Sequence, residues 1–300
     1  MRVAVLGASG QLGSELAACF RGRGDQVLAL DHEAVAVEDL AAVRRAIVPF
    51  APELILNTAA FHHLPRCEAD PTRSFAVNAT GSANVARVAA EISARNVYFS
   101  TDYVFDGEKR RPYTEADPPR PLSVYAASKL AGERATLAGG PGFVLRVSGL
   151  YGASPCRAKG ESFVAKMLRL AREQAEVRVV DDEILTPTPT HAIAAHLPGL
   201  LAAGGPGIYH FTCEGSCSWY EFAREIFDRA GVGTPLLRAS SADFPSAVQR
   251  PRYSVLENQR FNSLGSARMP DWRQALGEFL ASCSAASGST AEPQSRRATS

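Results

Sequence analysis

The chain has 300 residues, of which 46% are hydrophobic and 21% charged, and its formal net charge is +1 at pH 7. This composition excludes a globally disordered chain and is sufficient for one large domain with a smaller companion. The balanced charge offers no basic surface for nucleic acid or for a membrane, which favours a small-molecule ligand. No apolar run approaches the ~20 residues that span a bilayer, and six scattered cysteines without metal-ligand spacing indicate reduced thiols. We therefore expect a cytoplasmic protein without a metal site.

The first predicted element is an apolar strand at 2–6, which runs into a glycine turn and then into a helix at 11–22. The free N–H groups at the start of such a helix hold a pyrophosphate. Gly7 permits the tight turn, Gly10 lets the backbone approach the phosphates, and Gly13 lets the helix pack closely on the strand. The spacing is G-x-x-G-x-x-G, which on its own is a weak indication of a nucleotide site.

A second apolar strand is predicted at 26–30, and Asp31 stands at its end. An acid at this position binds the ribose 2′-hydroxyl and repels a 2′-phosphate, so it favours NADH over NADPH. The alternative interpretation is that Asp31 is a solvated residue that caps a turn.

Strands and helices continue to alternate through the first half of the chain. The further strands are predicted at 53–57, 96–100 and 142–147, and the further helices at 38–48, 72–92 and 124–138. This alternation predicts an α/β fold of the Rossmann type, a doubly wound parallel sheet with helices on both faces. Its ligand crevice lies at the carboxyl ends of the strands. Gly7, Asp31 and the segments 57–60 and 100–102 all fall at such ends.

After about residue 150 the alternation loosens and prolines interrupt the pattern. Helices are predicted at 162–175, 190–203, 218–230 and 271–282. We expect an NAD(P)-binding Rossmann domain at 1–150 and a smaller substrate-binding lobe at 151–283, some segments of which return to the Rossmann core. Residues 284–300 are rich in Ser, Ala and Thr and have too few large apolar side chains to offset their ordering entropy, which predicts a disordered tail.

Tyr125 and Lys129 lie four residues apart in the helix predicted at 124–138, so their side chains share one face. A free phenol titrates near ~10, and a nearby ammonium group lowers that pKa by favouring the phenolate. In a reduction, hydride from a nicotinamide reaches one face of a ketone while Tyr125 protonates the oxygen. Thr101, at the end of the fourth strand, donates a hydrogen bond that fixes the carbonyl. Y-x-x-x-K alone is more typical of a surface helix with an exposed lysine, but here it follows a polar strand end in a chain that also has a phosphate-binding turn.

Several runs of residues are distinctive as a set. They are the glycine turn at 7–13, S-T-D-Y-V-F-D-G at 100–107, the Y-x-x-x-K motif with Gly132 and Glu133, G-I-Y-H at 207–210, S-W-Y-E-F-A at 218–223, and Arg250 and Pro251 with S-V-L at 254–256. Through these runs the chain resembles the dTDP-4-dehydrorhamnose reductase family of the extended short-chain dehydrogenases/reductases. The resemblance extends to about residue 282.

The resemblance implies an enzyme that uses NADPH or NADH to reduce the 4-keto group of a nucleotide-linked 6-deoxy-hexulose, making dTDP-L-rhamnose for cell-surface polysaccharide. The implied catalytic triad is Thr101, Tyr125 and Lys129. The residues implied to face the sugar are Asp102, Val104 and Phe105. The predicted cofactor-binding residues are Gly7, Gly10, Gln11, Leu12, Gly13, Asp31, Ala59, Ala60, Tyr125 and Lys129. The expected partner is the nucleotide-sugar substrate, with a homodimer as candidate assembly and no nucleic acid or membrane.

Three segments depart from the family pattern. Where the family commonly has R-T-S-W-V-Y, this chain has R-V-S-G-L-Y, and Gly149 removes an aromatic wall near the sugar. The family's A-Y-T-A-V-D-K-A-E is A-F-H-H-L-P-R-C-E at 60–68. There His62 and His63 either contact a pyrophosphate, replace the missing aromatic wall or, as we favour, only pack the loop. The family's D-Q-x-G-x-P-T is D-E-I-L-T-P-T at 182–188 and loses its glycine. These departures leave the exact sugar and nucleotide open.

Two alternatives follow from the same pattern. One is a non-catalytic regulatory subunit resembling the methionine adenosyltransferase β-subunit, against which the intact Thr101, Tyr125 and Lys129 argue. The other is a nucleotide-sugar epimerase or dehydratase of the same superfamily. A dehydratase needs an acid pair beside the threonine, and here Asp102 is followed by Tyr103.

Overall fold

The structure of the protein is a computed structural model, which describes residues 1–154, 160–244, 246–265 and 268–288, the last five of these without side chains. The strands are β1 (Arg2–Leu6), β2 (Gln26–Leu30), β3 (Leu54–Asn57), β4 (Arg95–Thr101), β5 (Gly142–Val147), β6 (Leu150–Tyr151), β7 (Val177–Val180), β8 (Ile184–Leu185), β9 (Thr188–Pro189), β10 (Gly207–His210), β11 (Cys217–Ser218) and β12 (Leu236–Ala239). The α-helices are α1 (Gln11–Gly22), α2 (Leu40–Ile47), α3 (Leu64–Ala69), α4 (Pro71–Phe75), α5 (Gly81–Glu91), α6 (Val124–Ala138), α7 (Phe163–Glu173), α8 (Thr190–Ala203), α9 (Trp219–Ala230), α10 (Gln259–Asn262) and α11 (Trp272–Gly288).

A six-stranded parallel sheet in the order β10-β5-β4-β3-β1-β2 forms the centre of the fold. Its strands are apolar on both faces because helices cover both. In β1, Val3 and Val5 belong to one buried cluster with α1 and α8, and Ala4 and Leu6 belong to another with α2 and α5. The predicted Rossmann-type fold is confirmed, and the five predicted strands agree with β1 to β5 to within one residue at each end.

The helix predicted at 72–92 is wrong as a single α-helix. The chain forms α4, then a π-helical segment at Ala76–Thr80, and then α5. The wider π turn sets Asn78 inward, where its side chain is fully buried. Such segments often occur at functional sites, and Asn78 contacts α6 as described below.

The second half of the chain adds short strand pairs and helices around the sheet. Strands β7 and β12 form a separate parallel pair, and β10 returns to the main sheet beside β5. Helix α11 continues to Gly288, beyond residue 284 where the tail was predicted to start, because the alanines at 285 and 286 favour helix. Residues 289–300 lie outside the described residues. Within the described ranges, every helix is too short or too polar to span a membrane.

Candidate active site

The glycine turn between β1 and α1 is packed too tightly for side chains. Gly7 has φ +75°, and a Cβ there would lie 2.8 Å from Thr58 Oγ1. A Cβ at Gly13 would lie 2.2 Å from the Gly7 carbonyl oxygen, so the first turn of α1 rests directly on the strand end. Gln11 Nε2 is buried and has no hydrogen-bond partner among the described residues. This cradle and the unused amide donor fit the phosphates of a dinucleotide.

Asp31 lies at the end of β2, on the same edge of the sheet as the glycine turn. Its Oδ1 accepts hydrogen bonds from the backbone N–H groups of Glu33 and Ala34, each at 3.0 Å. Asp31 therefore caps a turn, as in the alternative interpretation, while its contact with a cofactor ribose stays a prediction. Ala59 and Ala60 follow β3 at the same edge, and the N–H of Ala59 donates to Asn57 Oδ1 at 3.2 Å.

Two side chains fix the start of α6, the helix that carries Tyr125 and Lys129. Ser123 caps the helix by accepting from the N–H of Ala126 at 3.2 Å, and Glu68 accepts from the N–H of Val124 at 2.8 Å. These contacts satisfy N–H groups that have no partner within the helix. Tyr125 in the first turn and Lys129 one turn later share a face of α6, as predicted from their spacing. Tyr125 lies next to the Thr101 hydroxyl, and Lys129 contacts β4.

Lys129 is buried against strand β4. Its Nζ donates to the Phe99 carbonyl oxygen at 2.6 Å and lies 4.0 Å from the centre of the Tyr98 ring. Burial lowers the pKa of Lys129 to about 7, and the carboxylate of Glu133 opposes this shift. Lys129 therefore gains or loses its proton close to neutral pH.

The pKa of Tyr125 is raised and not lowered. Burial is the main cause, the Thr101 hydroxyl opposes it, and Asp102 and Cys67 add to it. The expectation that Lys129 lowers the pKa of Tyr125 is wrong for this structure, because desolvation of the phenolate outweighs every favourable neighbour. Tyr125 consequently keeps its proton at neutral pH.

Asp102 anchors the end of β4 from beneath. Its carboxylate accepts hydrogen bonds from Thr101 Oγ1 at 3.0 Å, Ser148 Oγ at 2.8 Å and Ser254 Oγ at 2.6 Å. Burial raises the pKa of Asp102, and the Ser254, Ser148 and Thr101 hydroxyls oppose the shift. Asp102 thereby orients Thr101 and joins three separate segments of the chain, but all of these contacts are internal.

The expectation that Val104 and Phe105 face the sugar is wrong for their side chains. Both are fully buried, and the Phe105 ring stacks on Tyr113 with ring centres 4.2 Å apart. Tyr103, between them and Asp102, points the other way and packs its ring against Tyr125 at a centre distance of 6.3 Å. Tyr103 lies within the segment implied to face the sugar but was not singled out from the sequence, although a partly polar ring two residues after Thr101 was a usable signal.

Asn78 is a second residue that the sequence reasoning missed. Its amide accepts from the N–H of Phe61 at 2.8 Å and donates to the Phe61 carbonyl at 2.9 Å and to Ser128 Oγ at 2.9 Å. It thus links the 60–68 loop to α6. In that loop His63 caps α3 and the His62 ring lies 3.3 Å from the Ala60 carbonyl, which agrees with the preferred interpretation of loop packing.

Gly149 occupies a backbone position that excludes a side chain. Its φ is +55°, and a Cβ would lie 2.8 Å from Leu185 Cδ1, 3.0 Å from Pro187 Cα and 3.0 Å from the Thr186 carbonyl oxygen. The absence of an aromatic residue here is therefore built into the path of the chain. Leu185 also lines a small cavity with Tyr103, next to Tyr125.

A parallel Rossmann sheet with a glycine turn after β1, and Thr101, Tyr125 and Lys129 at the end of β4 and the start of α6, defines a short-chain dehydrogenase/reductase. Residues 1–285 match the family model of the RmlD substrate binding domain. The chain is 39% identical over 288 residues to dTDP-4-dehydrorhamnose reductase of Streptomyces griseus, with 93% of each protein covered. It is 36% identical to the spore coat polysaccharide biosynthesis protein SpsK of Bacillus subtilis, with 93% of this chain and 96% of SpsK covered.

The solved structures agree with the sequence relatives. The crystal structure of dTDP-4-dehydrorhamnose reductase from Bacillus anthracis in complex with NADP superposes with a TM-score of 0.89 and 33% identity, covering 94% of this chain and 99% of that one. The corresponding protein of Clostridium acetobutylicum gives a TM-score of 0.90 at 33% identity, covering 95% of this chain and 100% of that one. The chain belongs to the dTDP-4-dehydrorhamnose reductase family.

Proposed function

We propose that the protein uses NADPH or NADH to reduce the 4-keto group of dTDP-4-dehydrorhamnose, forming dTDP-L-rhamnose. The observation that carries this proposal is the arrangement of Thr101, Tyr125 and Lys129 beside a dinucleotide cradle. Relatives that carry this enzyme name are up to 39% identical to the chain over nearly their whole length.

The cofactor, when bound, supplies a hydride to the carbonyl carbon. Tyr125 donates the proton that the carbonyl oxygen needs, and its raised pKa keeps that proton in place at neutral pH. Thr101 lies beside Tyr125, and its hydroxyl, which donates to Asp102 in this structure, would turn towards the carbonyl oxygen to position it. Lys129 supplies positive charge behind the tyrosine as that proton leaves, and Asp102 holds the threonine in place.

The family relative from Bacillus anthracis was crystallised with NADP, whereas an acid at the position of Asp31 is expected to favour NADH. We propose that both cofactors bind and that Asp31 sets their ratio. We also propose a cytoplasmic location, which the buried thiols of Cys67, Cys213 and Cys217 support, and a homodimer, which light scattering would test.

The test is oxidation of NADPH and of NADH with dTDP-4-dehydrorhamnose generated in situ, followed by NMR identification of the sugar. Formation of dTDP-L-rhamnose by the wild type, and its loss in Tyr125→Phe, would support the proposal. Cofactor binding without turnover of this sugar would overturn the proposed substrate and direct the search to other nucleotide-linked keto-sugars.

A further inference from the structure

A buried row of polar residues crosses three neighbouring strands beneath α6. Ser100 on β4 is paired in register with Arg146 on β5, and Arg146 is paired with His210 on β10. From α6 above, Glu133 accepts hydrogen bonds from Ser100 Oγ at 2.5 Å, Arg146 Nε at 2.9 Å and Arg146 Nη2 at 2.7 Å. The side chains of Glu133 and Arg146 are each only 2% exposed.

This ion pair lies directly behind the catalytic residues. Glu133 follows Lys129 by one helical turn and Tyr125 by two, so all three share the face of α6 that meets the sheet. The helix comes very close to the sheet here, because a Cβ at Gly132 would lie 2.3 Å from the Asn78 carbonyl oxygen and 2.4 Å from the Tyr98 hydroxyl. The bidentate contact with Arg146 therefore fixes both the height and the rotation of α6 over β4.

Among the described residues, the titratable and charged groups around Lys129 are Tyr98 from β4, Tyr125 and Glu133 from α6 and, beyond Glu133, Arg146 from β5. Of these, Glu133 is the acid that favours the charged form of Lys129 against the effect of burial. A buried ion pair seldom stabilises a fold more than apolar residues of the same volume, so stability alone does not account for the Glu133–Arg146 pair.

We infer that Glu133, held by Arg146 and Ser100, is a positioning residue that anchors α6 over β4, places a carboxylate one helical turn from Lys129 and so fixes Lys129 beside Tyr125. The inference rests on the proposed function in one respect, that Lys129 takes part in the reaction. Arg146 serves in this arrangement to hold the carboxylate of Glu133 in a single orientation.

The chain offers a direct way to observe Lys129, since it contains only four lysines, at 109, 129, 159 and 166. We would titrate ¹³C-lysine-labelled protein by NMR and assign the Lys129 signal with Lys129→Met. In the double variant Glu133→Gln/Arg146→Met, which leaves no buried charge without its partner, the midpoint for Lys129 should fall by about 1 pH unit. In Arg146→Met alone it should rise, because the carboxylate of Glu133 then acts on Lys129 without a competing cation.

The matched control is Arg44→Met/Glu91→Gln, which removes an exposed ion pair between α2 and α5 and should leave the Lys129 midpoint unchanged. Shifts of the Lys129 midpoint in opposite directions in the two test variants support the inference. If only one variant folds, a midpoint shift in the direction expected for that variant supports the inference, and a shift in the other direction overturns it. Equal midpoints in wild type and variants, or shifts in the same direction, would overturn it. If the variants show these shifts but the wild type reduces no keto-sugar, the proposed function is refuted while the inferred role of Glu133 in placing Lys129 still holds.

Discussion

The contact between Gly13 and Gly7 predicts that Gly13→Ala separates α1 from the strand end. The added Cβ would lie 2.2 Å from the Gly7 carbonyl oxygen and 2.8 Å from both the Gly7 carbonyl carbon and Thr58 Oγ1. Cβ contacts below 3.0 Å are essentially never observed, so the closest pair has to open from 2.2 Å to at least 3.0 Å. Two of the three atoms belong to the backbone, so no side-chain rotation relieves the contact.

Overpacking of this kind costs about 1–3 kcal/mol. Each kcal/mol lowers Tm by roughly 2–4 °C in a domain of this size class. The same displacement moves the N–H groups of α1 away from the phosphates. We expect cofactor affinity to fall by about tenfold or more, which corresponds to about 1.4 kcal/mol of binding free energy.

The assay is a fluorescence titration with NADPH together with thermal unfolding of the protein without cofactor. Gly22→Ala is the control within the same helix, because nothing lies within 4 Å of its added Cβ. It should leave binding unchanged and increase stability by about 0.4–1 kcal/mol through the reduced freedom of the unfolded chain. A Gly13→Ala variant that binds NADPH like the wild type and unfolds at the same temperature would contradict the predicted displacement of α1.

Three further predictions concern single side chains. Tyr125→Phe should lower kcat on the order of 10²-fold with NADPH affinity retained, and steady-state kinetics showing equal turnover would remove the phenol from the mechanism. Asp31→Ala should raise the KM for NADH more than that for NADPH. Equal changes in the two KM values would show that Asp31 caps its turn but does not contact the cofactor ribose. Burial lowers the pKa of His210 from its usual 6.5 to about 3, so the unfolded chain takes up this proton first as the pH falls. The stability that neutral His210 contributes is complete above pH 6.5 and is lost from there towards pH 3, by up to about 1.4 kcal/mol per unit. Thermal unfolding of His210→Asn across this range should show a shallower loss, and an unchanged slope would contradict the assignment.

The first half of the fold was predictable because its signals are local. The strands β1 to β5 are apolar runs bounded by turn residues, and α1 and α6 agree with their predicted bounds. Strand β10 was not predicted, since its four residues become a strand only by pairing with β5. Strands β7 and β12 were not predicted either, because each becomes a strand only by pairing with the other. Their paired residues Val177 and Leu236 are 59 positions apart in the sequence.

The candidate site was predictable where spacing alone fixes geometry. Gly7 and Gly13 show the expected close packing, and Tyr125 and Lys129 share a face. The direction of the Tyr125 pKa shift was not predictable, because it depends on how much water the fold removes. Arg146 did carry a signal, since a charge within the otherwise apolar β5 requires a buried partner.

The close contact between positions 149 and 185 couples the effects of substitutions at the two positions. Leu185 stands where the family run D-Q-x-G-x-P-T has glycine, and Gly149 stands where the family has tryptophan. Changing Gly149 first creates a clash with Leu185. Changing Leu185 to a small residue first leaves a void, which for a buried leucine costs about 2–5 kcal/mol. Each of the two single changes is therefore destabilising in this chain, so the residues at positions 149 and 185 constrain each other.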